Sequence, residues 1–249
     1  MSETSAVGRP EATPPALDPR TILVTGASRG IGLWLVRHLL DDGHRIIAAC
    51  RTPDRAADLQ ALDVPIVQLD VTDDASIRRL ADSVAAYTER LDLLVNNAGI
   101  KQVPEFEWEA SAGPIPAMQR PALLAVFDTN VVGPILVTQS LSSLLAPGAV
   151  VLNVSSQLGS LSGNVGIDYA YNSSKAALNM ATIMMTRDPA LAGTAPVALV
   201  PGWMDTDMAG SEAPLSTPVA TREIADLIGR LDATFTGRFV DRFGDDVAW

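Results

Sequence analysis

Uniformly apolar segments alternate with helix-like segments from Thr21 onward, and this alternation restricts the possible fold more than any other feature of the chain. Each apolar run is short and continuous, which is typical of strands buried on both faces of a parallel sheet. Parallel strands need long crossover connections, and the segments between the runs have the required length. The chain is therefore expected to form an α/β fold, a doubly wound parallel sheet of about seven strands with helices on both faces.

The predicted strands cover residues 21–25, 45–49, 65–69, 91–95, 149–154, 196–200 and 237–240. The predicted helices cover residues 33–40, 53–62, 73–87, 123–145, 169–186 and 218–231. Residues 1–19 are rich in Pro, Ser, Thr and Glu, so they are expected to form a disordered tail. Residues 20–249 are expected to form a single Rossmann domain, because α/β folds of this size often stay undivided.

Composition argues against several classes of function. The formal net charge of -11 argues against nucleic acid and anionic membrane surfaces as partners, and no stretch reaches the roughly 18 apolar residues that a membrane span needs. Cys50 has no second cysteine to pair with, and the first residues lack the apolar core of a secretory signal, so a cytoplasmic protein is expected. His38 and His44 stand apart from any cysteine or acidic cluster, and no metal site is expected.

A glycine-rich turn, residues 25–32 (TGASRGIG), joins the first predicted strand to the first predicted helix. Small residues let the backbone approach a pyrophosphate, and a helix N-terminus presents free N–H groups to an anion. The glycines are spaced by three residues and then one, whereas the common dinucleotide fingerprint has one and then two. The turn predicts a dinucleotide site, and a tight turn without a ligand is the alternative. The expected cofactor contacts here are Gly26, Ser28, Arg29, Gly30, Ile31 and Gly32.

The end of the second strand distinguishes between two nicotinamide cofactors. An NAD site usually has an acidic residue there, which binds the ribose 2′-hydroxyl. Cys50 and Arg51 occupy this place, and Arg29 can face the same corner. Two guanidinium groups suit a 2′-phosphate, so NADP(H) is predicted in preference to NAD(H). The alternative is that both arginines are ordinary solvated side chains.

Tyr171 and Lys175 are four residues apart in a predicted helix, which places them on one face. The chain contains only two lysines, so a chance match at this spacing is less probable. A phenol near an ammonium group is expected to have a pKa below its reference value of about 10. Such a tyrosine could donate or accept a proton near neutral pH.

Five motifs now stand in one order along the chain: the glycine turn, Asn96–Gly99, Ser155–Ser156, Tyr171 with Lys175, and Pro201–Gly202. With these motifs the chain resembles the short-chain dehydrogenase/reductase family, of the branch called classical. Residues 158–161, 169–179, 201–208 and 237–249 are similar to a narrower group, the Sniffer and C-factor type carbonyl reductases. The resemblance implies an NADP-dependent oxidoreductase that interconverts a carbonyl compound (ketone or aldehyde) and an alcohol.

The resemblance also implies a role for each matching residue. Tyr171 would be the acid/base, and Lys175 would bind the nicotinamide ribose and lower the pKa of the tyrosine. Ser156, chosen over Ser155 by analogy, would hydrogen-bond the substrate oxygen, and Asn130 would hold a water of a proton relay. Further cofactor contacts would come from the strand ends: Asp70, Val71, Asn97, Ala98, Gly99, Tyr171, Lys175, Pro201, Gly202, Met204 and Thr206. Tyr169 is a rival tyrosine, but Ser173 stands four residues after it rather than a lysine.

The substrate is expected to be a small apolar or aromatic ketone, aldehyde or secondary alcohol, since the loops after the strands carry few charges. The residues expected to contact it are Ser156, Leu158, Tyr171, Trp203 and Met208. Apolar residues on more than one face of two helices predict a homodimer or homotetramer. Two other functions are weighed: a non-catalytic NADP(H)-binding sensor or scaffold, and an epimerase of the extended branch.

Overall fold

The computed structural model describes residues 18–102, 105–163, 168–208 and 212–249. Most of the expected disordered tail, residues 1–17, lies outside the described residues. Seven strands form one sheet: β1 (Thr21–Thr25), β2 (Arg45–Cys50), β3 (Ile66–Gln68), β4 (Leu91–Asn96), β5 (Leu145–Val154), β6 (Ala195–Val200) and β7 (Phe239–Asp241). The predicted strands are all present, and β5 begins four residues earlier than predicted.

The sheet has the order β3-β2-β1-β4-β5-β6-β7, and every neighbouring pair is parallel. The chain begins at the centre with β1, moves outward to β3 and then returns to place β4 on the other side of β1. This reversal between β1 and β4 creates a crevice at the carboxyl ends of the strands, where doubly wound sheets bind ligands. The predicted α/β fold with a doubly wound parallel sheet is confirmed.

Seven α-helices connect the strands: α1 (Gly30–Asp41), α2 (Ala57–Gln60), α3 (Asp74–Ala85), α4 (Arg120–Phe127), α5 (Gly133–Leu141), α6 (Tyr169–Met185) and α7 (Thr217–Ile228). Single 3-10 turns lie at Pro53–Arg55, Trp108–Ala110, Ile115–Ala117, Ser142–Leu144, Gln157–Gly159, Pro189–Leu191 and Ala233–Phe235. Helices α1 and α7 pack on one face of the sheet, and α3, α5 and α6 pack on the other.

Alternate residues of each strand enter two different cores. Ile22 and Val24 of β1 pack with the buried residues of α1 and α7, while Leu23 between them packs toward α3 and α5. Both faces of the strand are therefore dry, which explains why its sequence is continuously apolar. The sheet is thus packed against a hydrophobic core on each face, and this packing holds the strand ends in place.

The predicted helix 123–145 is a longer helical run that changes geometry at its centre. Helix α4 begins at Arg120, one π-helical turn follows at Asp128–Val132, and α5 continues from Gly133. Gly133 lies against Val71, where an added Cβ would stand 3.0 Å from the Val71 Cβ. Such π turns occur often at functional sites, and this one carries Asn130.

The same run is long and apolar enough to cross a membrane by length and composition, with a mean hydropathy of 1.5 in an 18-residue window within Arg120–Leu144. The expectation that no segment of the chain could do so was therefore wrong. Ala122, Val126, Val137 and Leu141 are fully buried within the protein. Packing within the fold accounts for part of this hydropathy, since 39% of the window is buried and Leu124, Val132 and Ile135 of the same run are exposed.

Candidate active site

A cleft of about 390 Å³ opens at the carboxyl ends of β1, β4, β5 and β6. The lining includes members of every predicted motif from the glycine turn onward, and of the two serines it includes Ser155: Arg29, Gly30, Ile31, Asn97, Gly99, Ser155, Tyr171, Lys175, Pro201 and Thr206. Ligands in doubly wound sheets bind at this place, outside the strand ends. The fold thus brings together residues that are up to 188 positions apart in the sequence, from Arg29 to Thr217.

The glycine turn is held closed from beneath by the end of β4. The Asn97 amide donates to the carbonyl oxygens of Thr25 (2.9 Å) and Gly26 (3.2 Å). The Thr25 hydroxyl accepts from the backbone N–H groups of Asn97 and Ala98. A Cβ on Gly32 would lie 2.5 Å from the Gly26 oxygen, so only glycine permits this close approach.

The N-terminus of α1 has the character of an anion site. Arg29 occupies its capping position without a side-chain capping bond among the described residues, and the first turn of the helix contains no acidic side chain. The first N–H groups of a helix without a cap need an external acceptor. A pyrophosphate would satisfy them and would also be favoured by the helix dipole. These residues therefore fit the phosphates of a dinucleotide.

The two arginines that predict NADP(H) are placed differently. Arg29 lies at the rim of the cleft, where its guanidinium forms an ion pair of 2.5 Å with Asp207. Both side chains are mostly exposed, at 66% and 77%. Arg51 is exposed at the end of β2 and does not line the cleft as described. The pair with Asp207 joins the glycine turn to the loop after β6, a contact that the sequence does not reveal.

The end of β5 separates the two adjacent serines. The Ser155 hydroxyl donates to Asn179 Oδ1 at 2.5 Å, so it is directed into the interface with α6. The Ser156 hydroxyl accepts from the backbone N–H of Leu158 (3.1 Å) and hydrogen-bonds the Tyr171 side chain. Of the two, Ser156 is thus the serine that faces Tyr171, and its predicted bond to the substrate oxygen stays a prediction.

Lys175 lies beneath Tyr171, one turn further along α6. Its Nζ donates to the carbonyl oxygen of Val154 at 2.8 Å and lies 5.6 Å from the centre of the Tyr171 ring. The lysine is 5% exposed, while Tyr171 is partly exposed in the cleft. The helix that carries both residues is thereby attached through Lys175 to the end of β5.

Burial has the largest effect on the pKa of both Tyr171 and Lys175. Burial raises the pKa of Tyr171 to about 12, and its hydrogen bond with Ser156 opposes this change only in part. Burial lowers the pKa of Lys175 to about 8. The expectation of a lowered tyrosine pKa was wrong for this structure, because desolvation of the phenolate outweighs the hydrogen bond from Ser156.

Asn130 connects the π turn to two other parts of the site. Its amide nitrogen donates to the Ile100 carbonyl oxygen (2.7 Å) and to the Ser174 hydroxyl (3.0 Å). Its Oδ1 accepts from the Ile100 backbone N–H at 2.8 Å. The side chain is completely buried. These contacts hold the segment after β4 against α6, while the predicted role in a water relay stays a prediction.

The remaining predicted cofactor residues divide into two groups. Pro201 and Thr206 line the cleft, whereas Met204 is 2% exposed and forms a β-bridge with Leu215. Gly202 adopts a φ of 94° and lies against Leu215. Met204 and Gly202 therefore shape the loop after β6 and are not among the described cleft residues.

Asp70 and Val71 lie at the carboxyl end of β3, outside the cleft as described. Asp70 accepts from the backbone N–H and the hydroxyl of Thr72, and Val71 is buried against Gly133. Ala98 and Ser28 are half-buried beside the glycine turn. Their expected contacts with the cofactor stay predictions.

Among the predicted substrate residues, Met208 lines the cleft and is 41% exposed. Trp203 is 55% exposed, and Leu158 is half-buried beside Ser156. A large part of these side chains is thus available for contact. Leu161, in the segment after Leu158, is more exposed than Met208 or Trp203, at 85%.

Sequence reasoning missed several residues that complete the site. Ser174 accepts a bond from Asn130, Asp207 pairs with Arg29, and Asp205 binds both the N–H and the hydroxyl of Thr217. The hydroxyl of Thr217 lowers the pKa of Asp205. An aspartate before a helical segment is a recognisable capping signal, so Asp168 at the start of α6 could have been identified. The long-range pairs had no comparable signal.

Comparison with known proteins agrees with this geometry. A family model described as short chain dehydrogenase matches residues 20–215. The chain belongs to the short-chain dehydrogenase family. Its predicted membership is confirmed, and so is the resemblance to the Sniffer and C-factor group. This short-chain dehydrogenase is accordingly an oxidoreductase of the carbonyl reductase and dehydrogenase type.

Two curated relatives illustrate the range of this family. The C-signal protein of Myxococcus xanthus is 38% identical over 165 residues, which cover 65% of this chain and 95% of that protein. A 1-hydroxy-2-glutathionyl-2-methyl-3-butene dehydrogenase of Rhodococcus sp. (strain AD45) is 29% identical over 235 residues, covering 92% and 99%. The similarity to the second protein thus includes nearly the whole length of both chains.

Two solved structures show the same architecture. The carbonyl reductase Sniffer of D. melanogaster has a TM-score of 0.84 at 33% identity, covering 93% of this chain and 100% of that chain. An NADPH-bound carbonyl reductase from chicken fatty liver has a TM-score of 0.83, also at 33% identity, covering 94% and 100%.

Proposed function

We propose that this short-chain dehydrogenase is an NADP(H)-dependent reductase that converts an apolar ketone or aldehyde into the corresponding alcohol, with Tyr171 as the acid/base. The observation that carries the proposal is the hydrogen bond between the Tyr171 and Ser156 side chains beside the buried Lys175. Two hydroxyl groups that meet at one point in a cleft can both donate to a single carbonyl oxygen.

A backbone hydrogen bond to the Ser156 oxygen leaves the hydroxyl proton of Ser156 available for donation. The Leu158 N–H already donates to Ser156 Oγ, so this bond occupies a lone pair of the oxygen. The hydroxyl proton remains free to point at the substrate oxygen or at Tyr171. Ser156 would therefore orient the carbonyl and polarise it, while Tyr171 gives the proton.

Tyr171 completes the reaction through one proton transfer. When bound, the nicotinamide cofactor supplies the hydride that reduces the carbonyl carbon. The phenolic O–H bond breaks as the new O–H bond of the alcohol forms, and the phenolate recovers a proton from solvent. The ammonium group of Lys175, held by Val154, stabilises the phenolate during this interval.

Preference for NADP(H) is supported by the cationic residues at the end of β2 and in the glycine turn, Arg51 and Arg29. Charge-assisted bonds from guanidinium groups suit a 2′-phosphate. Among the relatives, the chicken reductase is NADPH-bound, and reductases from Burkholderia multivorans and Pseudomonas aeruginosa PAO1 have NADP bound. Absence of an acidic residue at the end of β2 supports the same choice.

An uncharged apolar substrate is favoured by the charges of the cleft. The cations among the described lining residues are Arg29 and Lys175. Arg29 is assigned to the 2′-phosphate of the cofactor, and Lys175 donates to Val154. Neither is left to bind a carboxylate or phosphate of the substrate. Exposed Met208 and Trp203 can instead contact an aliphatic or aromatic group.

A panel of ketones, aldehydes and secondary alcohols tests the proposal, with the absorbance of NADPH and of NADH as the readout. We expect oxidation of NADPH by aromatic and aliphatic ketones, and slower turnover with NADH. Tight NADPH binding without turnover of any carbonyl or alcohol would favour the alternative, a sensor or scaffold. Exchange of configuration in a nucleotide sugar would favour an epimerase.

We also propose that the protein is a cytoplasmic homodimer or homotetramer. Exposed apolar side chains lie on α6 (Met180 and Met184) and on the helical run from α4 to α5 (Leu124, Val132 and Ile135). Burying such side chains between copies would remove them from water. Light scattering at micromolar concentration tests this, and a monomer mass would contradict it.

A further inference from the structure

Asn179 is a buried amide on α6 that is joined to the chain on both sides of Ser156. The residue is 3% exposed. Its Oδ1 accepts from the Ser155 hydroxyl at 2.5 Å, and its Nδ2 donates to the Gly159 carbonyl oxygen at 3.3 Å. One side chain therefore holds both ends of a short segment after β5, residues 155–159, which we call the serine turn.

Hydrogen bonds within the serine turn fix its shape but not its position. The backbone N–H of Leu158 donates to Ser156 Oγ at 3.1 Å, and the N–H of Gly159 donates to the Ser156 carbonyl oxygen at 2.9 Å. The first end of the turn is attached to the sheet, because the N–H of Ser155 donates to the Leu199 carbonyl oxygen at 2.8 Å. The far end lies beyond the sheet, so its position depends on contacts with α6.

Gly159 is the point at which the far end of the turn meets α6. A Cβ on Gly159 would lie 2.8 Å from the Lys175 carbonyl carbon and 2.9 Å from the Lys175 Cβ, so the turn lies directly on the helix backbone. The Asn179 amide donates to the carbonyl oxygen of this same glycine. Since α6 also carries Tyr171, these contacts set the position of Ser156 relative to the tyrosine.

We propose that Asn179 is a positioning residue that holds Ser156 opposite Tyr171, so that both hydroxyl groups reach the same carbonyl oxygen. The inference rests on the proposed roles of Ser156 and Tyr171 in carbonyl reduction. Asn179 is not among the described residues that line the cleft, so it acts through the serine turn and not on the substrate. Loss of its two bonds would release the far end of the turn and misplace the Ser156 hydroxyl.

A second polar link between α6 and β5 provides the comparison with a purely structural contact. The Thr182 hydroxyl accepts from Asn153 Nδ2 at 2.9 Å, and both residues are fully buried. This link ends within β5, whereas that of Asn179 continues beyond the strand to Gly159. An amide suits the second task because it accepts and donates at once, which neither leucine nor an ionised aspartate can do.

A double-mutant cycle between Asn179→Leu and Ser156→Ala tests the inference, with ketone reduction by NADPH as the readout. Leucine branches at the same carbon as asparagine but can form neither bond. In the wild-type background, Asn179→Leu should lower kcat about 10- to 100-fold, since a small misplacement of a group that orients the substrate has an effect of this size. In the Ser156→Ala background the same change should lower kcat less than about twofold, because the hydroxyl that it misplaces is already absent.

Two further measurements separate positioning from a general loss of structure. The Kd for NADPH, followed by the fluorescence of the bound cofactor, should stay within about twofold of the wild type in Asn179→Leu. Thr182→Val is the matched control, because it breaks the link to Asn153 between the same helix and strand. It should lower the melting temperature to a similar extent and leave kcat unchanged.

Ser155→Ala provides a milder variant that removes only one of the two Asn179 bonds. It should lower kcat in the same direction as Asn179→Leu but by a smaller factor. If Asn179→Leu does not fold, Ser155→Ala takes its place in the cycle with Ser156→Ala, and the same loss of its effect is expected in that background.

Equal losses of kcat from Asn179→Leu in the two backgrounds would overturn the inference, because the amide would then act independently of Ser156. An unchanged kcat in Asn179→Leu, or an equal loss in Thr182→Val, would reduce Asn179 to a structural contact. Failure of the proposed function gives a different result, since Ser156→Ala alone would then keep its reductase activity. That outcome would remove the role of Ser156 and the inference together.

Discussion

The two ends of the cleft are built by different means. At the end with Tyr171, each polar side chain is hydrogen-bonded to the backbone: Lys175 to Val154 in β5, Ser156 to Leu158 in the following 3-10 turn, and Asn130 to Ile100 after β4. At the other end, Arg29 and Asp207 face each other across the rim with most of their surface in water. The polar side chains Lys175 and Asn130 at one end are buried, whereas the charged pair at the other end is solvated.

This difference separates catalysis from cofactor selection. Groups fixed in a dry environment interact strongly with charge that develops during a reaction, because little water screens them. Exposed arginines contribute less each, but they can exchange one partner for another at low cost. Changes at the first end should therefore affect turnover, and changes at the second should affect the affinity for the cofactor.

Removal of the Tyr171 hydroxyl should have the largest effect. Tyr171→Phe leaves the ring in place but deletes the proton donor, and we expect the reduction rate to fall about 10² to 10⁴-fold. Tyr169→Phe is the control, since that tyrosine lies on the same helix and is exposed. Steady-state reduction of a ketone with NADPH measures both. A Tyr171→Phe enzyme that kept most of its activity would refute the assignment of the acid/base.

Lys175→Met should lower the activity. It should also remove the free-energy cost of burying a charged ammonium group in the folded protein. We expect a loss of about 10² to 10³-fold in kcat, as for other groups that stabilise charge in a dry site. Because the pKa of Lys175 in the folded protein is lowered to about 8 from 10.5, the folded state binds fewer protons than the unfolded state between these values. The unfolding free energy of the wild type should rise with pH in this window.

Comparison of the wild type with Lys175→Met isolates the contribution of Lys175 to the pH dependence of the unfolding free energy. Relative to Lys175→Met, the wild type should gain stability from pH 8 to pH 10.5, and it should be the less stable of the two at pH 7. Denaturant unfolding at several pH values measures the difference. A constant difference across the window would show that the lysine is not desolvated as the structure indicates.

Replacement of the two arginines should affect only the phosphorylated cofactor. In Arg29→Ser with Arg51→Ser, we expect the KM for NADPH to rise about 10- to 100-fold, because charge-assisted bonds to the 2′-phosphate are lost. The KM for NADH should change little, and kcat should be preserved. Arg55→Ser, an exposed neighbour in the turn after β2, is the control. An equal rise for both cofactors would contradict the assignment.

The smallest effect is expected at the partner of Arg29. Asp207→Asn releases the guanidinium from its ion pair, so the KM for NADPH should fall by up to about fivefold, the range of an exposed pair. High salt should reduce the difference between the variant and the wild type, since exposed charges are screened. A rise in the KM for NADPH would mean that Asp207 supports the bound cofactor instead.

The sequence predicted the repeating elements of the fold well and the electrostatics of the site poorly. Strand β1 is continuously apolar because both of its faces are buried, and this pattern is local. The direction of the change in the Tyr171 pKa was wrong, because spacing shows that a lysine is near but not how much water the surrounding chain removes. The choice of Ser156 came from analogy, and the bond of Ser155 to Asn179 supplies its geometric reason.

What the sequence by itself determined is everything that depends on near neighbours: the apolar runs, the glycines that allow the turn before α1, and the shared face of Tyr171 and Lys175. Only the tertiary structure decided what depends on distant segments meeting. It paired Arg29 with Asp207 across 178 positions, and it buried Lys175 and Asp168 around one tyrosine. Burial and long-range charge depend on the whole fold, because each is set by how much water all of the surrounding segments exclude.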